Sequence, residues 1–240
     1  MLQTMLDMLY PVRCPICRDI VIPKDRRICT ACENKPQIIT EPRCKKCSKP
    51  IELDQREYCS DCERRGYHFE YGYSLWVYDS LMRKSISDFK YNFKKEYAKY
   101  YIQAIIINYE DKIKRMAPDV IVPVPIHRSK YRERGYNQAE ILAKGIGERL
   151  NIPVLPHLLI RNKKTLPQKQ LNDKERLRNL QEAFGYNHKI AHDYTGKIDR
   201  ILLVDDIYTT GSTIEACTSV LLHNQIKYVY FFTLCIGKGF

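Results

Sequence analysis

The chain has 240 residues, 44% of them hydrophobic and 28% charged. That balance excludes a mostly disordered chain, a collagen-like chain and a coiled-coil rod. No apolar run reaches the ~18 residues needed to span a bilayer. Lys and Arg outnumber Asp and Glu by 40 to 28, a formal net charge of +12, of which +3 falls on residues 1–66 and +9 on residues 67–240. A surface of that sign attracts polyanions or phosphorylated small molecules, and it equally serves solubility.

The opening segment MLQTMLDMLYP has no basic n-region and carries Asp7. Leu2, Met5, Leu6 and Leu9 predict a short amphipathic helix ending at Pro11, not a signal peptide. The expected location is cytoplasmic.

Eight of the ten cysteines follow as four Cys-x-x-Cys pairs, at Cys14/Cys17, Cys29/Cys32, Cys44/Cys47 and Cys59/Cys62, recurring every 15 residues. A two-residue spacing turns both thiolates of a tight knuckle toward one metal ion. Two knuckles complete a closed tetrahedral site. Pairing consecutive knuckles predicts two structural zinc ions. One is held by Cys14, Cys17, Cys29 and Cys32, the other by Cys44, Cys47, Cys59 and Cys62. Crossed pairing would use the same sulfurs, and so would an iron–sulfur cluster, whose usual spacings are less regular. The intervening RDIVIPKDRRI reads as a β-hairpin. The segment has few large apolar side chains, so metal is expected to hold this 1–66 module together. Cys217 and Cys235 lie in apolar patterns and read as buried thiols.

From residue 67 onward strands alternate with helices. YSLWVY at 73–78 is a predicted strand. Residues 80–93 place Met82, Ile86, Phe89 and Phe93 on one helical face. A longer helix carries Ala98, Tyr101, Ile105, Tyr109 and Ile113, and Pro118 closes it. DVIVPV at 119–124 is a predicted buried strand. Asn137 and Glu140 have capping-box spacing ahead of a helix with Leu142, Ala143, Ile146 and Leu150 inward. IPVL at 152–155 is a short strand. Residues 161–180 are polar and basic. RILLVDD at 200–206 is a buried strand, Ser212 to about Asn224 a helix, and YVYFFTLCIG the last strand. The expected fold of residues 67–240 is therefore α/β, a mostly parallel sheet with helices on both faces.

The most informative stretch is ILLVDDIYTTGST at 201–213. A buried strand delivers Asp205 and Asp206 at its carboxyl end, and a hydroxyl-rich loop with Gly211 leads into a helix. Such a loop cradles an anion with free amides and hydroxyls. It has no GxxxxGK[ST] and so is not a P-loop. The adjacent carboxylates suit sugar hydroxyls or a hydrated magnesium ion. A phosphorylated sugar satisfies both halves.

These residues resemble the phosphoribosyl pyrophosphate signature of type I phosphoribosyltransferases. The resemblance implies that Asp205 and Asp206 approach the ribose hydroxyls, directly or through magnesium, as the catalytic acids. It implies that Thr209, Thr210, Gly211, Ser212 and Thr213 enclose the 5-phosphate. The knuckle module, then VPVPIHRSKYRERGYNQAE, then TLPQKQLNDKERLRNLQEAF, then the loop, is together similar to the ComF competence family. That resemblance covers nearly the whole chain. It implies handling of incoming single-stranded DNA during natural transformation, beside other competence proteins at the inner membrane face.

Within that frame His127 and Arg128 fall where the family fold binds pyrophosphate, and a cationic pair at a sheet's carboxyl edge suits a diphosphate. Arg132 and Arg134 read either as a phosphate clamp or as a solvated face. The segment 161–178 corresponds to a mobile substrate-covering loop, and its Lys163, Lys164, Lys169 and Lys174 suit a polyphosphate backbone. With Arg132, Arg134, Lys45 and Lys46 they form the expected nucleic-acid surface. Three readings remain open at this point. They are a single-stranded DNA-handling protein, an active phosphoribosyltransferase on an unknown acceptor, and a phosphoribosyl pyrophosphate-sensing regulator.

Overall fold

The computed structural model of the protein describes residues 11–23, 25–51, 56–162 and 182–237. Among them, four strands form one parallel sheet: β1 (Gly72–Val77), β2 (Val120–Pro123), β5 (Arg200–Tyr208) and β6 (Tyr228–Ile236), in the order β1-β6-β5-β2. The long central pair sets Ile201 beside Val229 and Asp205 beside Thr233. These strands are continuous apolar runs because both their faces are covered.

Alternate residues divide the core. Leu202, Val204 and Phe232 meet α2 (Ser80–Tyr91), α3 (Tyr97–Met116) and α5 (Gln138–Leu150) in one cluster. Ile201, Leu203 and Phe231 meet α7 (Ser212–His223) on the other face. Each such side chain, removed from water, contributes roughly 1.5–3 kcal/mol. Two pairs of buried hydroxyls satisfy each other in this core, with Ser85 Oγ 2.6 Å from Tyr101 Oη and Ser74 Oγ 2.6 Å from Thr233 Oγ1. Asp79 caps α2 by accepting from the Met82 amide at 2.8 Å.

The predicted parallel α/β architecture is what the chain adopts, with differences of detail. Segment 152–155 makes a single parallel bridge, Val154 to Ile121, rather than a strand. Isolated antiparallel bridges, Arg13 to Ile20 and Arg43 to Pro50, bracket the first knuckle of each ribbon, and the described residues between Cys17 and Cys29 form no hairpin. Phe93 lies past the end of α2, 65% exposed at a φ of 54°, so it does not share the buried face. Asn137 caps α5, but Glu140 turns to Lys144 at 2.7 Å instead of closing a capping box. Four short elements carry no clear sequence signal: α4 (Arg128–Arg134), the antiparallel pair β3 (Leu159–Arg161) and β4 (Phe184–Tyr186), and α6 (His188–Asp193).

The cysteine-rich segment is packed on this body at two places. The first ribbon touches α3 through Tyr100, and Arg18 donates to both oxygens of the buried Asp88 at 2.8 and 3.1 Å. The second ribbon, with its helix α1 (Ser60–Arg65), shares a core with Tyr67, Phe69, Tyr208 and Ile214. Between the ribbons, residues 37–39 run along β1. The Ile39 amide donates to Leu75 and the Val77 amide to Gln37, so this sheet edge is covered.

Candidate functional site

The eight knuckle cysteines gather as two groups of four, Cys14–Cys17–Cys29–Cys32 and Cys44–Cys47–Cys59–Cys62, each with its sulfurs within 4.8 Å of one another. Cys17 and Cys29 are 3.6 Å apart, Cys14 and Cys29 3.7 Å, and Cys47 and Cys59 3.6 Å. A tetrahedral ion with metal–sulfur bonds of ~2.3 Å needs sulfurs about 3.8 Å apart, whereas a disulfide needs ~2.05 Å. The separations fit the metal. In the second group, contact with the Cys47, Cys59 and Cys62 thiols drives Cys44 far below the ordinary thiol range, while contact with Cys44 drives Cys47 far above it. Four touching thiols cannot all ionise unless a cation shares their charge. Two zinc-ribbon-type clusters thus support structural zinc.

The 209–213 loop stands at the carboxyl end of the sheet. β5 runs further than the sequence indicates, to Tyr208, so both acids lie within the strand and face opposite sides of it. On one side, Lys90 of α2 reaches Asp206 at 2.6 Å. Burial opposes the Lys90 charge, but Asp206 and then Asp205 outweigh it and hold the lysine above its ordinary range. On the other side Asp205 has no such direct ion pair among the described residues. Removal from water, with the Asp206 charge adding to it, pushes Asp205 up to about 7. Its carboxylate accepts from the Asp206 amide at 2.8 Å, and the Lys90 and Arg161 charges partly compensate it.

Gly211 makes the turn into α7 at a φ of 78°. A Cβ there would collide with the Tyr208 hydroxyl and press on the Tyr67 ring, so glycine is required twice over. The first helical bond runs from the Glu215 amide to the Gly211 carbonyl at 2.9 Å. The amides of Ser212, Thr213 and Ile214 precede it and have no intrahelical acceptor. Thr209 and Thr210 are exposed, and Thr210 Oγ1 lies 3.0 Å from Ser212 Oγ. Glu215, despite its capping-box spacing from Ser212, faces away from the loop and is almost fully buried against His68. It accepts from the His68 amide at 2.9 Å and contacts the ring Nδ1.

β2 ends beside β5, where the Val124 amide donates to Val204 at 2.9 Å. His127 therefore stands at the same edge. It caps α4, its Nδ1 accepting from the Ser129 amide at 3.2 Å, and leaves Arg128 exposed. Arg132 is exposed, but Arg134 is buried, which overturns the reading of it as a solvated nucleic-acid contact. Its guanidinium donates to Gln138 at 3.1 Å and Tyr91 Oη at 3.0 Å and lies over the Tyr91 ring. Arg134 is the one buried residue of α4, turned toward Tyr91 of α2 and Gln138 of α5 while the rest of the helix stays exposed. Lys163, Lys164, Lys169 and Lys174 lie outside the described residues.

Sequence reasoning did not single out Lys90 or Lys130, and it placed Arg161 only as a member of the basic 161–178 segment. Lys130 is pulled below the ordinary lysine range by desolvation and by the charges of Arg134, Arg161 and Lys90. Lys90, Lys130 and Arg161 thus act electrostatically on the two carboxylates. Residues so far apart in the chain give no local motif; only their approach to one sheet edge unites them. An excess of positive charge beside free amides and two acids is chemically suited to a ligand with both phosphate and hydroxyl groups.

Fold and cysteines define a class: a parallel α/β protein carrying two four-cysteine ribbons. Residues 5–63 match the double zinc ribbon domain. Over 216 residues, 88% of this chain and 91% of the relative, the sequence is 27% identical to competence protein F of Haemophilus influenzae. It is 28% identical over 208 residues to competence protein ComFC of Bacillus subtilis, covering 82% and 79% of the two chains. It is also 31% identical over 118 residues, 49% of each chain, to the DNA utilization protein YhgH of Escherichia coli. Adenine phosphoribosyltransferase of Leishmania tarentolae superimposes loosely, at a TM-score of 0.37 and 15% identity over 61% of this chain and 73% of that one. Over most of its length the chain is similar to these two competence proteins. Among the described residues no helix is long and apolar enough to cross a membrane.

Proposed function

We propose that this protein serves natural transformation by handling incoming single-stranded DNA, and that its α/β domain binds phosphoribosyl pyrophosphate with magnesium. The observation that carries the ligand is the charge arrangement at the loop, where Lys90 neutralises Asp206 while Asp205 is undercompensated. A divalent ion bridging to the ribose hydroxyls supplies the charge Asp205 lacks. Thr209 to Thr213 take the 5-phosphate, with the leading amides of α7 and the Thr210 and Ser212 hydroxyls as donors. His127, Arg128 and Lys130, at the facing end of β2, take the diphosphate.

The competence role rests on the names of the relatives, aligned over most of the chain. Cytoplasmic placement follows from that role, where incoming DNA and phosphoribosyl pyrophosphate meet. Other competence proteins at the inner membrane face are the proposed protein partners. The test is a cross-titration on one preparation. Phosphoribosyl pyrophosphate and a labelled single-stranded oligonucleotide should each bind, with no nitrogenous base supporting turnover. Turnover with a base and no DNA binding at ~100 mM salt would establish a phosphoribosyltransferase instead.

A further inference from the structure

The opposite end of the sheet carries a second concentration of unusual chemistry. Tyr71 and Tyr73 enter β1, Tyr228 and Tyr230 begin β6, and Arg200 begins β5. The later turns of α3 bring Tyr109 and Lys112 to the same end. The rings form a continuous series. Tyr71 lies 5.1 Å from Tyr230 and 5.7 Å from Tyr73, and Tyr73 lies 5.5 Å from Tyr109. Cations lie over several of them. Arg200 sits 4.6 Å from the Tyr228 ring centre and donates to Tyr230 Oη at 3.4 Å. Lys112 sits 4.7 Å from the Tyr109 centre and 5.6 Å from that of Tyr73.

Among the described residues neither Lys112 nor Arg200 has a carboxylate ion-pair partner. Burial and the Arg43 charge pull Lys112 below its ordinary range, so it is held in an unfavourable place. Arg43 itself is different. It is largely covered, paired with Glu41 at 2.8 Å, and lies over Tyr73, where it fastens the second ribbon to the body. A purely structural contact would be served at least as well by an apolar side chain as by an unpaired, half-buried cation. Tyr228 is 39% exposed, and Tyr71, Tyr73, Lys112 and Arg200 are half-buried, so the belt reaches solvent.

We propose that this belt, centred on Tyr71, Tyr73, Lys112, Arg200 and Tyr228, binds single-stranded nucleic acid. The two cations neutralise phosphates, and the rings stack with unpaired bases without regard to sequence. This assignment rests on the reading that the protein handles single-stranded DNA, and it names a surface which that reading leaves open. Arg200 and Tyr208 are the two ends of β5, eight steps of ~3.3 Å apart, so the belt lies roughly 26 Å from the 209–213 loop. Both ligands can therefore be held at once.

The experiment uses the full-length, zinc-loaded chain and a fluorescent oligothymidylate of about 20 nucleotides, titrated over a range of salt concentrations. Lys112→Gln with Arg200→Gln should weaken binding at least ~10-fold and flatten the log–log salt slope by about 1.4, or ~0.7 for each phosphate no longer neutralised. Tyr228→Ala should weaken binding ~5- to 100-fold, the range expected when one base no longer stacks on a ring. Duplex of the same length should depend less on Tyr228. Photocrosslinking of a bromouracil-substituted oligonucleotide to the wild type reports the site without any variant and should label Tyr71 or Tyr228. If the wild type binds no single strand, the functional reading and the belt both fall. If the wild type binds, but the belt variants match it while Arg132→Ala loses affinity, the belt falls and the reading stands. Equal dependence of duplex and single strand on Tyr228 would overturn the stacking assignment.

Discussion

The hydroxyl of Tyr67, five residues beyond the last ribbon cysteine, donates to the backbone carbonyl of Thr210 in the 209–213 loop. Burial raises the Tyr67 hydroxyl well above the ordinary tyrosine range, so it remains a donor at any physiological pH. The next residue, His68, holds Glu215 on the first turn of α7. The sulfurs of the second ribbon share a core with Tyr208, which forms the floor beneath Gly211. The ribbon and the loop are therefore one packed unit.

Loss of the second metal should accordingly loosen the loop. In Cys59→Ser, amide exchange at Thr210 to Glu215 should accelerate even without ligand. Cys14→Ser should leave those amides protected, because the first ribbon packs on Tyr100 and Asp88 instead. Tyr67→Phe should keep both metals and cost about 1 kcal/mol, the net worth of one hydrogen bond. Hydrogen-exchange mass spectrometry with parallel metal analysis reads all three.

Metal content itself is a separate check. Elemental analysis of the intact chain should find two zinc ions, one for each four-sulfur group, and chelation should unfold the ribbons cooperatively. One equivalent, or iron, would mean that one group is not a zinc site.

Asp205 makes the site pH-dependent. Its folded value of about 7 lies above the ~3.9 of an unfolded aspartate. Between about pH 4 and pH 7 the folded state therefore holds a proton that the unfolded chain has released. Stability from this group is fully present below about 4 and is lost as the pH rises through 7. Asp205→Asn should flatten that slope, so its melting temperature should gain on the wild type between pH 4 and pH 8. Magnesium-dependent ligand binding needs the carboxylate, so wild-type affinity should rise through pH 7 and the variant should lose that component.

Lys90 is the cation most closely bound to the acid pair. Replacing it with Met leaves Asp206 buried without its partner, at a cost of about 3–5 kcal/mol. Lys90→Met with Asp206→Asn should recover much of that loss, because no charge is left unpaired. A thermal-unfolding double-mutant cycle measures the coupling.

The four knuckles, the buried strands and the loop were legible because each is local: a spacing, an apolar run, a glycine between hydroxyls. Spacing favoured consecutive pairing of the knuckles but left crossed pairing open, and the sulfur geometry groups consecutive knuckles. What Lys90 and Arg161 face was not legible, since nothing near them in the chain hints at an acid pair more than 40 residues away. Arg134 misled because a basic run reads as solvated face, whereas helical periodicity turns one of its members inward. Glu215 misled in the same manner. Its spacing from Ser212 suits a capping box, but His68, brought from a remote segment, engages its carboxylate.

The most direct test of the ligand assignment is calorimetric titration of phosphoribosyl pyrophosphate into the zinc-loaded chain, with and without magnesium. Wild type should bind in a magnesium-dependent manner. Asp205→Asn with Asp206→Asn should weaken binding by at least ~10-fold, since the exchange keeps the shape of both side chains and removes the charges that meet the ion and ribose hydroxyls. Equal affinity for wild type and double variant, or binding indifferent to magnesium, would contradict the account.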